Sequence, residues 1–234
     1  ILVIGEIISA LKSEKYDLNN TSVMISQTGG GCRATNYIAY LKKALIDSGF
    51  TNIPIISANL NNLEDNPGFK LSLSLVNRIL MSIIYGDLLM KVLYRVRPYE
   101  KIEGSANELY KKWVKICKTS LKKADRKTFS LNIKNIVNEF DNLDIFETKK
   151  ARVGIVGEIL IKFHPVGNND IVSVLENEGL EVVVPDLLDF ILYCASDSNF
   201  RYKHLDGSIL SKLLGDSLIM FIDFYRKVYI DSLK

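Results

Sequence analysis

Apolar residues in the first quarter of the chain form two short runs separated by a stretch with helical spacing. Ser22–Ser26 is an apolar run of strand length, and apolar residues then recur at helical spacing through Ala34–Ser48. Ile53–Ser57 predicts a second strand, with Pro54 confined to its start or to a sheet edge. This order of strand, loop, helix and strand favours a parallel, doubly wound sheet.

The middle of the chain is predicted to be helical. Leu71–Tyr94 is long and apolar, so we expect a buried helix that ends before Pro98. Ser105 is the predicted N-cap of a helix that runs to about residue 124, with Glu108 at the capping-box position. An amphipathic helix is predicted for residues 129–140.

A second series of strand and helix signals follows residue 150. Ala151–Gly157 and Leu180–Val184 predict strands, and Asp170–Gly179 between them predicts a helix. Pro185 is expected at the first position of another helix. The tail from Gly207 to Leu233 has the spacing of one or two amphipathic helices.

These patterns predict an α/β fold with two Rossmann-like parallel-sheet halves and a largely helical segment between them. Residues 1–95 would form the first half, with strands 22–26 and 53–57 and helices 34–48 and 71–94. Residues 96–150 would form a helical insertion or linker, and residues 151–234 the second half with the C-terminal helices.

Composition excludes several protein classes. The 234 residues are 47% apolar and 24% charged, which argues against intrinsic disorder. The three cysteines contain no CxxC pair and predict a reducing, cytoplasmic location. A net charge of +3 gives no sign of a nucleic-acid partner, and no apolar run reaches the roughly 18 residues of a membrane span. The chain starts in an apolar segment and ends in a helical pattern, so we expect it to be a piece of a longer protein.

Positive charge is concentrated in residues 101–134. This segment has ten Lys and Arg residues against three acidic ones, a local charge of +7. A solvated helical face is the favoured interpretation, and a surface for an acidic partner or anionic ligand is the alternative. We expect the segment to be an exposed insertion, loosely tied to the two halves.

The stretch Gln27–Arg33 (QTGGGCR) is the strongest candidate site. Three glycines between a strand and a helix let backbone N–H groups approach a bound group, and a helix N-terminus stabilises a thiolate. A reactive thiolate, a metal-ligating thiolate and an oxyanion cradle are all consistent with Cys32 at this place. The alternative is a tight turn with a packed cysteine. The candidate binding residues are Gln27, Thr28, Gly29, Gly30, Gly31 and Arg33, with Cys32 as the candidate metal ligand.

Other polar features favour structural roles. The glycines of Val153–Glu158 are explained by packing as well as by binding, and Glu158 would repel a phosphate. His164 and His204 have no partner at metal-ligand spacing and are interpreted as surface or core histidines.

From Gln27 onward, the chain resembles the activase-related proteins of the 2-hydroxyacyl-CoA dehydratase system, which are long proteins of mostly anaerobic bacteria. In them, activator ATPase domains precede a region similar to the subunits of the dehydratase and of benzoyl-CoA reductase. The segments that carry the resemblance occur in order over nearly the whole chain: Gln27–Tyr37, Asn66–Lys70, Tyr85–Leu89, Val96–Glu100, Val153–Glu158, Gly167–Asn169 and Val183–Phe190.

The resemblance implies Rossmann-like halves, a [4Fe–4S] cluster held by cysteines on separate loops, and an acyl-CoA substrate in the true dehydratases. Only Cys32 matches a cluster cysteine of the family, whereas Cys117 and Cys194 match none. The other ligands would lie outside this chain, so we expect no cluster in this fragment by itself.

Two function classes remain open at this point. The first is the central part of an iron–sulfur, dehydratase-like lyase module or of its electron-transferring activase, inactive as a fragment. The second is a non-catalytic scaffold that docks activator domains. The implied partners are activator ATPase domains and an acyl-CoA, with neither nucleic acid nor membrane.

Overall fold

The computed structural model describes residues 1–27, 33–58 and 72–234, with the side chains of Arg33 and Ala58 excepted. The described residues fall into two compact units, Ile1–Leu71 and Ser72–Lys234. They are 67% helical.

Among its described residues, the first unit has two α-helices and one small sheet. Helices α1 (Leu2–Lys12) and α2 (Tyr37–Asp47) accompany strands β1 (Val23–Ser26) and β2 (Ile55–Ala58). The strands pair in parallel, with Val23 opposite Ile55. The core of the unit is formed by Leu11, Val23, Leu41, Leu45 and Ile53.

Helix α2 buries one face and is followed by a glycine. Ile38, Leu41 and Leu45 are the buried residues of α2 and lie on one face, since they are spaced by three and four residues. Gly49 follows with φ +84°, a conformation that glycine adopts without strain.

The second unit is built mainly from long helices. Its elements are α3 (Leu73–Val96), α4 (Ser105–Lys123), α5 (Arg126–Asp141), β3 (Arg152–Gly154), α6 (Ile159–Phe163), α7 (Ile171–Asn177), β4 (Glu181–Val183), α8 (Leu187–His204) and α9 (Ile209–Ser232). Strands β3 and β4 pair in parallel, with Arg152 opposite Glu181. Helix α3 is central, and α4, α5, α8 and α9 all pack against it.

The predicted fold class is wrong. Among the described residues, each unit has one sheet of two short parallel strands, so the chain is mostly helical rather than two Rossmann-like halves. Both sequence strand pairs exist, but β3 and β4 have only three residues each. An apolar run marks a strand without showing how many strands will pair beside it.

The basic segment 101–134 is helical, but it is not loosely attached. Trp113 and Cys117 of α4 and Phe129 and Ile133 of α5 belong to the same buried cluster as the apolar residues of α3. The lysines of α4 lie on its outer side, which is the arrangement that the solvated-face interpretation predicts. The finer division at residues 95 and 150 remains a prediction.

Two helix starts differ from the capping predictions. Ser105 is the first residue of α4 rather than its N-cap, and the Glu100 carboxylate accepts hydrogen bonds from the N–H groups of Gly104 (2.8 Å) and Ala106 (2.8 Å). Helix α8 has Asp186 as its N-cap and begins at Leu187, two residues after Pro185.

The segment Leu73–Tyr99 is long and apolar enough to cross a membrane, with a mean hydropathy of 1.4 over its best window. The core helix of a soluble protein meets the same criterion. In this structure ten residues of α3 are buried.

Candidate functional site

Gln27 is the first residue of the predicted glycine-rich site, and its side chain is held by hydrogen bonds. This residue directly follows β1, and its buried side chain donates from Nε2 to the Thr35 carbonyl oxygen at 2.9 Å. Its Oε1 accepts a hydrogen bond from Ser57 Oγ of β2 at 2.7 Å. One amide therefore ties the end of β1 to β2 and to the short 3₁₀ helix Arg33–Thr35.

The remaining predicted site residues lie outside the described part of the chain. Thr28, Gly29, Gly30, Gly31 and Cys32 are not described, and of Arg33 only the backbone is. Gln27 and Arg33 therefore mark the two edges of the segment. Gln27 stands at the carboxyl end of a parallel strand, which is the end where ligands bind in α/β units.

The other two cysteines have opposite environments. Cys117 is buried in α4, and burial raises the pKa of its thiol to about 12. The helical pattern around Cys194 predicts that burial protects its thiol, but Cys194 is exposed on α8, so this prediction is wrong. In residues 1–27, 33–58 and 72–234, no group of three or more His, Cys, Asp or Glu side chains could hold a metal ion.

Asp87 is a buried carboxylate that sequence reasoning missed. It lies on α3 and accepts hydrogen bonds from the backbone N–H groups of Leu187 at 3.0 Å and Leu188 at 2.9 Å. These are the first residues of α8, whose N–H groups have no partner within the helix. The only sequence signal is a charged residue inside a long apolar run.

Asp186 continues this polar network into α9. Its Oδ2 accepts a hydrogen bond from Tyr229 Oη at 2.6 Å and pairs with Lys91 Nζ at 2.7 Å. Burial and the hydrogen bond to Asp186 both raise the pKa of the Tyr229 hydroxyl. The contacts of Asp186 with Lys91 and Tyr229 hold the start of α8 against α3 and α9.

Glu181 is the third buried carboxylate, at the start of β4. Oε1 pairs with Arg95 Nη1 and Arg152 Nε, each at 2.9 Å, and Oε2 accepts from Tyr99 Oη at 2.7 Å. Burial alone would raise the pKa of Glu181, but the hydrogen bonds from Tyr99 and Arg95 and the two arginine charges lower it.

Three of the segments quoted for the family resemblance contribute to this network: Tyr85–Leu89, Val96–Glu100 and Val183–Phe190. Asp87 of Tyr85–Leu89 bonds to Leu187 and Leu188 of Val183–Phe190. Tyr99 of Val96–Glu100 bonds to Glu181 just before that segment. Within the second unit, these residues hold helices and strands in place.

The histidines have ordinary surroundings. Nδ1 of His164 accepts from the Gly167 N–H at 3.0 Å within a turn, and His204 ends α8 beside the ring of Phe200.

No protein-family model, curated protein or solved structure matches the chain.

Proposed function

We propose that this chain is the central part of an iron–sulfur, 2-hydroxyacyl-CoA dehydratase-like module that works with an ATP-dependent activator. The resemblance centred on Gln27–Arg33 carries the proposal. The Gln27 side chain supports it, because its hydrogen bonds to Thr35 and Ser57 connect the residues on either side of the glycine-rich segment with the end of β2.

The cysteines of the described residues do not complete a cluster site. Iron–sulfur clusters are usually held by several cysteine thiolates. Cys117 is buried in the helical core of the second unit, and Cys194 is exposed on α8. Cys32 would therefore be one ligand, with the others supplied from outside these 234 residues, and no reaction step is assigned to this chain.

Anaerobic iron and sulfide analysis of the full-length protein tests the proposal. Cys32→Ser should lose most of the cluster iron and its visible absorption, because one thiolate ligand is removed. Cys194→Ser is the matched control and should retain the iron of the wild type. Equal iron in Cys32→Ser and wild type would exclude Cys32 as a ligand.

A non-catalytic docking module for activator domains is the second candidate. Exposed apolar side chains on α8 and α9 favour it, since such surfaces mark interaction sites when they form patches. They include Tyr193, Leu210, Leu213, Leu214 and Met220, each more than half exposed. Absence of iron and sulfide from the wild-type protein in the same experiment would favour this candidate.

A further inference from the structure

The second unit has an open cleft of about 640 Å³ beside the Glu181 network. Its walls come from α3, α5, the two strands β3 and β4, and residues 232–234 at the end of α9 and after it. A volume of this size is within the range of small-molecule sites, roughly 300 to 1,000 Å³.

The cleft combines an apolar lining with positively charged groups. Val137, Val183 and Leu233 supply its accessible apolar part, and the nearly buried Val92, Val96, Phe140 and Val182 lie behind them. Lys91, Arg95, Arg152 and Lys234 supply positive charge, with Asp141 and Glu181 as the acidic residues, and Lys91 is already paired with Asp186. An adjoining depression shares Arg95 and Arg152 and adds Lys149 and Lys150.

The two arginines are held by one buried carboxylate. Arg95 uses Nη1 and Arg152 uses Nε to reach the same Glu181 oxygen. Their side chains nevertheless remain 62% and 61% exposed. One negative charge thus positions two guanidinium groups and leaves a net positive charge, with further N–H donors available to a ligand.

We propose that this cleft binds a small organic phosphate, with the phosphate on Arg95 and Arg152 and an apolar group against Val137, Val183 and Leu233. Guanidinium groups bind phosphate through paired hydrogen bonds, which a lysine ammonium cannot reproduce in the same geometry. The site lies wholly within the second unit and is independent of the iron–sulfur proposal.

Calorimetric titration of the 234-residue chain with phenyl phosphate tests the site. The wild type should bind phenyl phosphate more tightly than inorganic phosphate, because only the former fills the apolar part. Arg95→Lys/Arg152→Lys should weaken binding by about tenfold or more, since the charge remains but the paired hydrogen bonds are lost. The lysines keep a partner for Glu181, and the single Arg→Lys variants provide intermediate cases if the double variant folds poorly.

Lys115→Gln/Lys118→Gln is the matched control, because it removes two exposed charges from α4. It should bind phenyl phosphate as the wild type does. The proposal is overturned if the wild type does not bind, if the arginine variants bind equally well, or if the control weakens binding as much as they do.

Discussion

Phe129→Ala should lower the free energy of unfolding of the second unit by about 3 to 5 kcal/mol, the usual cost of removing a large buried aromatic side chain. Phe129 of α5 is 1% exposed. Its ring centroid lies 4.8 Å from that of Tyr85 on α3 and 5.9 Å from that of Tyr225 on α9. The substitution therefore leaves a cavity where three helices meet.

Urea unfolding followed by tryptophan fluorescence measures this loss. The single tryptophan, Trp113, is buried in α4 and reports on the second unit. Leu131→Ala is the matched control on the same helix, where the side chain is 58% exposed, and should change stability by less than about 0.5 kcal/mol. Similar small losses for both variants would mean that α5 is not part of the core.

Asp87→Ala should lower the free energy of unfolding by about 2 to 4 kcal/mol at pH 5, because two buried N–H groups at the start of α8 lose their acceptor. Asp87→Asn keeps the volume and one acceptor oxygen, so its loss should be about 1 kcal/mol. The same fluorescence experiment measures both variants. Equal stability of wild type and Asp87→Ala would contradict the capping role.

The effect of Asp87 should depend on pH. Burial and the charge of Asp186 raise the pKa of Asp87 to about 6, against the lowering effect of the Leu188 and Leu187 N–H groups and of Lys91. Because folding raises this pKa, protonated Asp87 stabilises the fold fully below about pH 4, which is the pKa of the carboxyl group in the unfolded chain. This stabilisation is lost as the pH rises through about 6, the pKa in the folded protein. The advantage of wild type over Asp87→Asn should therefore fall by up to about 3 kcal/mol across this range.

The positions of most elements could be predicted from local pattern, whereas the architecture could not. The apolar spacing of Leu71–Tyr94 predicts α3 almost to its ends, because a helix satisfies its own backbone hydrogen bonds. A strand depends on partners elsewhere in the chain. The apolar runs around Val23 and Val153 therefore predict where the strands lie, but not how many strands pair in each sheet.

The polar contacts between distant parts of the chain could not be predicted from local sequence either. Asp87 and Leu188 are 101 residues apart, so no local signal pairs them. Ser105 and Glu108 have the spacing of a capping box, but Glu100 caps α4 because the preceding turn brings its carboxylate to the helix end. For the glycine-rich site, sequence pattern placed Gln27 after a strand but could not reveal its bond to Ser57.

The exposure of Cys194 has a related cause. Leu188 and Ala195, seven residues apart on one face, are the buried residues of α8, and the rest of the helix, Cys194 included, is at least partly exposed. Apolar side chains such as Tyr193 lie on the outer surface instead. Hydrophobicity alone does not distinguish a face that packs internally from one that remains uncovered.

Alkylation of the native protein at neutral pH, followed by peptide mapping, tests both the helical core and the candidate site most directly. Cys32 should be labelled fastest if its place before a helix stabilises the thiolate, and Cys194 should follow because it is exposed. Cys117 should be labelled only after unfolding, since burial raises its pKa to about 12 and blocks access. Labelling of Cys117 at the rate of Cys194 would contradict the burial of Cys117 in the helical core. Equal labelling of Cys32 and Cys117 would mean that Cys32 is only a packing residue.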